Sequence, residues 1–136
     1  MKKALFVTAS LFLLWGCATA PVSNEDAVLS KNIFKNDQFQ LKEGNATLIV
    51  KRDKGFSGSG CSSRVYVNGA VAADLDSGEY FKVSVIPGNY IISAQPNGVC
   101  GGGIFETKVS VVKDEVATYR IGYGSNGDYF IVPTAF

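Results

Sequence analysis

Val65-Tyr66-Val67-Asn68-Gly69-Ala70-Val71-Ala72-Ala73-Asp74-Leu75 is the stretch that decides how this chain folds. Two runs rich in β-branched and aromatic residues flank an Asn-Gly pair. A two-residue hairpin turn of type I′ needs positive φ at both central positions, and Asn followed by Gly meets that need at the least steric cost. The stretch therefore predicts a tight β-hairpin.

Working outward, the same period of two continues on both sides. Ala46, Leu48 and Val50 alternate with Thr47, Ile49 and Lys51; Phe81, Val83 and Val85 alternate with Tyr80, Lys82 and Ser84 until Pro87-Gly88 interrupts. Tyr90, Ile92 and Ala94 resume the pattern, and Gln95-Pro96-Asn97-Gly98 ends it. Residues 105–112 and 116–121 are expected to form a further hairpin around Lys113-Asp114-Glu115, and 129–132 a last strand that Pro133 confines to an edge or a strand end. Seven or eight short strands with turn signals about every ten residues predict an all-β chain, an antiparallel β-sandwich or small barrel. One wet face per strand argues against parallel pairing.

The amino terminus reads differently. Met1-Lys2-Lys3 is a basic start, and the apolar run 4–15 is shorter than the roughly 20 residues a spanning helix needs. It ends in Leu14-Trp15-Gly16-Cys17, which resembles the bacterial lipobox. That resemblance implies cleavage after Gly16, a diacylglycerol thioether on Cys17 and acylation of the new amine. An ordinary signal peptide with a chance cysteine is the alternative. Ala18, in place of an aspartate after the acceptor, implies sorting to the outer membrane in a Gram-negative cell. The expected organisation is a signal peptide over 1–16, a lipidated Cys17 with tether and lead-in over 17–43, and a sandwich domain over 44–136. Within the lead-in, 18–24 reads as a flexible stalk, and Ser23 with Asp26 predicts the cap of a short helix through Ala27-Val28-Leu29 toward Phe34.

Taking sixteen residues from 136 leaves 120, one domain able to bury its own core. Removing Lys2 and Lys3 from thirteen basic residues leaves eleven against twelve acidic ones, so nothing marks a nucleic-acid-binding surface. With no histidine, Ser-His-Asp and Cys-His catalysis and the usual zinc sites are excluded. No acid–base constellation stands out, so an enzyme is not expected, nor a cofactor or a metal.

If Cys17 carries lipid, Cys61 and Cys100 remain as an even pair in an oxidising compartment, and a structural disulfide is expected between them. Both sit in glycine-rich loops, Ser57-Gly58-Ser59-Gly60-Cys61 and Gly98-Val99-Cys100-Gly101-Gly102-Gly103, which the bond would pin at one end of the sandwich. Asp74 and Asp76 share a strand face and form a candidate carboxylate pair, more simply read as solvated. Gly101-Gly102-Gly103 opens a strand rather than a helix, which removes it as an anion cradle. Lys51-Arg52-Asp53-Lys54 reads as a mixed-charge strand end. Phe56, Tyr123 and Tyr129 fall outside core parity on or beside loops, and are the candidate partner-binding residues.

The segments together resemble a family of uncharacterised bacterial lipoproteins. The resemblance rests on Ala46-Thr47-Leu48-Ile49-Val50-Lys51-Arg52, Gly58, Val65-Tyr66-Val67-Asn68-Gly69, Gly78-Glu79-Tyr80-Phe81-Lys82-Val83 and Pro87-Gly88-Asn89-Tyr90, over about 44–118. The later part is similar to PEGA-type sandwich modules, which are not known as catalysts. It implies an Ig-like or PEGA-like sandwich and a periplasm-facing, lipid-anchored location, with no catalytic residues to carry over. The expected function is a non-catalytic binding or structural module of the cell envelope, with the membrane held through Cys17 and a protein or glycan partner. The alternative is a periplasmic inhibitor of a secreted enzyme such as lysozyme, suggested by Ser77-Gly78-Glu79-Tyr80.

Overall fold

The structure, a computed structural model, describes residues 18–34 and 44–136. Cys17, the expected acceptor of lipid, lies outside the described residues. Asn68 and Gly69 take φ of 47° and 80°, as the type I′ turn demands. They join β3 (Ser63–Val67) to β4 (Ala70–Leu75), antiparallel with Val67 opposite Ala70. With β6 (Gly88–Pro96) and β7 (Phe105–Val111) these form a four-stranded sheet in the order β4-β3-β6-β7.

The second sheet holds β1 (Val28–Leu29), β2 (Ala46–Arg52), β5 (Glu79–Val85), β8 (Val116–Tyr123) and β9 (Tyr129–Pro133), in the order β1-β5-β2-β8-β9. The two sheets bury Leu48, Val50, Val65, Leu75, Phe81, Ile92, Val109 and Ile121 between them. These are the alternate positions that the period of two assigns to the inner faces, so the all-β sandwich stands, with nine strands rather than seven or eight. Pro133 closes β9 on the sheet edge, where its missing N–H leaves no gap in the ladder. Among the described residues no helix is long and apolar enough to cross a membrane.

Four local expectations change. Residues 105–112 and 116–121 are not a hairpin: β7 and β8 lie in different sheets, and Lys113-Asp114-Glu115 is a corner between them. Asp114 N donates to Asn45 O and Thr47 N to Glu115 O, so the corner is held by β2 and the residue before it. The larger sheet is also mixed, since β8 runs parallel to β2 with Thr47 opposite Val116, and β1 runs parallel to β5.

The helix expected after Ser23 is absent. Ser23 Oγ does accept from Asp26 N at 3.1 Å, and Ala27 N donates to Ser23 O, which closes one turn. Val28 N then donates to Gly78 O and Ser30 N to Tyr80 O, so the edge of β5 takes the donors a second turn would need. Nor is 18–24 a free stalk. Thr19 N donates to Tyr123 O, Ala20 and Lys54 exchange both main-chain bonds, and Val22 is buried. The segment lies against the sandwich from Thr19 onward.

Candidate functional site

The strand directions bring the loops 53–62, 76–78, 97–104 and 124–128 to one end of the sandwich. Cys61 and Cys100 are joined there, with Cα atoms 6.0 Å apart. The bond ties the loop between β2 and β3 to the loop between β6 and β7, as their glycine-rich sequences suggested.

Arg52 sits beneath this end. It continues the inward parity of Ala46, Leu48 and Val50, so its side chain enters the top of the core and is 2% exposed. The guanidinium donates to the carbonyls of Gly58 and Cys61 in the loop and of Leu75 at the end of β4, the last at 3.0 Å. A planar cation with several fixed donors can hold three carbonyls of two separate segments, which a neutral side chain could not.

The neighbouring charges face the other side of β2, where the lead-in covers them. Lys51 Nζ donates to Val22 O and Asn24 Oδ1, each at 2.9 Å, and to Phe136 O. Burial lowers the Lys51 pKa, with nearby Asp53 pulling it back up. Asp53 Oδ2 accepts from Arg120 Nη1 at 2.6 Å and from the Thr19 hydroxyl at 3.0 Å, and Arg120 stacks over the Phe130 ring at 4.9 Å. Gly122 is required here by space: a Cβ would overlap both Asp53 Oδ2 and Thr19 Oγ1. The mixed-charge strand end is thus a set of internal braces that fixes the lead-in to the sheet.

Asp53 Oδ1 is buried without a partner. Burial accordingly raises the Asp53 pKa, offset in part by Arg120, by the Thr19 hydrogen bond and by Lys51. A carboxyl raised in the folded state binds its proton more readily there than in the unfolded chain. Its contribution to stability is full below the ordinary aspartate range and declines as pH rises through the raised value. In urea titrations across the acidic range, the wild type is expected to lose stability relative to Asp53→Asn as pH increases. A difference between the two that stays constant with pH would remove this assignment.

The aromatic candidates separate. Phe56 is 92% exposed at the tip of the loop between β2 and β3. Tyr123 is half-buried. Tyr129 is 6% exposed and belongs to the core, which corrects its reading as a surface residue. It opens β9 with the same inward parity as Ile131 and packs against Tyr123 and Phe105, ring centroids 5.2 and 5.3 Å away. Its hydroxyl is buried beside the Ser63 hydroxyl, and burial pushes the phenol up to about 12, with the interaction with Ser63 pulling it partly back. A cleft of about 550 Å³ lies over these rings, walled by Gly58, Cys100, Gly101–Gly103 and Asp128. One apolar tip went unnoticed in the sequence: Val99, beside Cys100, is 97% exposed. Its position between two glycine runs next to a bridged cysteine was the signal available.

The carboxylate pair is not assembled. Asp74 takes a two-pronged bond from Arg64, both contacts 2.8 Å, while Asp76 leaves the strand for the turn to Glu79. Among the described residues no group of three metal-ligating side chains occurs. Ser77, which prompted the inhibitor reading, turns its hydroxyl inward to Asp53 O at 3.3 Å. Comparison with protein-family models, with curated proteins and with solved structures finds no match.

Proposed function

We propose that the chain is a non-catalytic lipoprotein of the cell envelope, anchored by acyl chains on Cys17 at the periplasmic face of the outer membrane, and that its sandwich serves as a binding or structural module. The observation that carries this reading is the pair of disulfide-joined loops, each with one apolar side chain projecting almost fully into solvent. Apolar tips on braced loops bury area on contact at little cost in chain entropy. The bond itself suits an exported chain, since disulfides persist in oxidising compartments. Arg52 beneath these loops is engaged in bracing them and Asp53 in holding Thr19 and Arg120, which favours a scaffold over acid–base chemistry.

Cells expressing the full chain and fed an alkyne analogue of palmitate are expected to label it, and Cys17→Ser is expected to abolish the label. Each buried methylene contributes about 0.8 kcal/mol, so two or three acyl chains hold the wild type firmly at the membrane. A wild-type chain that carries no label would retire the lipoprotein reading.

A further inference from the structure

We infer that the disulfide end of the sandwich lies on the membrane, with Phe56 and Val99 entering the interfacial layer of the bilayer that holds the anchor. This inference rests on the lipoprotein reading and names what the braced loops meet.

Chain length sets the geometry. An extended residue spans at most about 3.6 Å, so Cys17 lies within roughly 7 Å of Thr19. Thr19 is not free to swing. Its N–H donates to Tyr123 O at 2.9 Å, its hydroxyl accepts from Tyr123 N at 2.8 Å and donates to Asp53, and Ala20 pairs with Lys54. A Cβ added to Gly55 would stand 3.0 Å from the Thr19 Cα, and Phe56 is the next residue along. The acyl chains therefore enter the bilayer beside the loop that carries Phe56, and no tether is left to lift the body away.

Charge is distributed to match. The loop segments 55–62 and 97–104 contain no Asp, Glu, Lys or Arg. Their exposed apolar tips, Phe56 and Val99, are 92% and 97% accessible. The opposite end presents Lys113-Asp114-Glu115, all exposed. Charged side chains resist transfer into a bilayer, whereas small uncharged loops with aromatic or aliphatic tips enter the headgroup–acyl boundary readily. Loop backbone keeps its polar groups among the headgroups, so only the two side chains go deeper. Lys54, Asp76 and Asp128, exposed at the same end, stay at headgroup level.

The mature chain lacks tryptophan, since Trp15 falls in the leader, so a single introduced indole reports its own surroundings. Lipidated, processed protein (residues 17–136) carrying Phe56→Trp is reconstituted into vesicles of phosphatidylethanolamine and phosphatidylglycerol, with Lys113→Trp as the control at the far end. Both sites are exposed, so folding is unaffected. Brominated acyl chains reach an indole seated about 5–10 Å into the boundary, and are expected to quench Phe56→Trp by roughly half and Lys113→Trp hardly at all. Protein that floats with the vesicles while Phe56→Trp stays unquenched overturns this inference and leaves the anchor standing. Protein that does not float overturns both. Phe56→Trp that is quenched only after a soluble envelope protein is added also overturns it, in favour of a protein partner.

Discussion

Cys61→Ser with Cys100→Ser is expected to lower the melting temperature by about 15 °C in oxidising buffer. The two cysteines are 39 residues apart. Closing a loop of that length removes unfolded-state freedom worth about 4 kcal/mol at 25 °C on the chain-entropy view. For a domain of this size each kcal/mol moves the midpoint by roughly 4 °C. The native state has little to compensate with, because 97–104 holds only a short 3₁₀ turn, Gly98–Cys100, with no buried residue. Scanning calorimetry of the wild type and the double variant measures the difference. Coincident curves would mean that the bond contributes nothing to the mature protein.

Arg52→Met is expected to cost about 3–5 kcal/mol in urea unfolding. Methionine fills much of the arginine volume and suits the inward position, so packing is largely retained. What is lost is the donor set. The carbonyls of Cys61 and Leu75 lose this donor beneath the loop, while Gly58 O keeps the Cys61 N–H, at a cost of about 1–3 kcal/mol for each buried group left unsatisfied. Arg52→Lys is expected to regain only part of this, because one ammonium lacks the planar fork that reaches two segments at once. Since Arg52 and the disulfide both restrain Cys61, the combined variant is expected to depart from additivity by about 0.5–3 kcal/mol. Strict additivity would show that the two braces act independently.

The parts of this fold that were legible in sequence are those decided locally. Asn68-Gly69 selects its turn without reference to the rest of the chain, and Leu48, Val50, Val65 and Val67 announce their inner face by alternation. Cys61 and Cys100 could be paired by parity of number once Cys17 was set aside. What escaped was decided by partners far along the chain. The Ser23–Asp26 cap forms as its signature demands, yet the edge of β5 captures the next donors before a helix can grow. Lys113-Asp114-Glu115 marks a turn correctly but says nothing about which sheet the following strand joins; the pairing of Thr47 with Val116 decides that. Lys51, Arg52 and Asp53 read only as a mixed-charge strand end, since charge usually stays in water and their burial left no local signal. Their burial depends on Val22, Thr19, Cys61 and Arg120, none adjacent in sequence. Tyr129 was misplaced for a related reason: a glycine-rich neighbour suggested a loop, whereas its strand begins at that residue.

The parallel pairing of β8 with β2 also governs how the molecule assembles. β2 occupies the centre of the larger sheet, yet its flanks come from β5 on one side and from β8 on the other. Contacts of such high order close slowly, on roughly the millisecond-to-second scale. Until residues 116–123 arrive, the middle strand has one side bare. A polypeptide built this way completes its central strand only once β8 has been made.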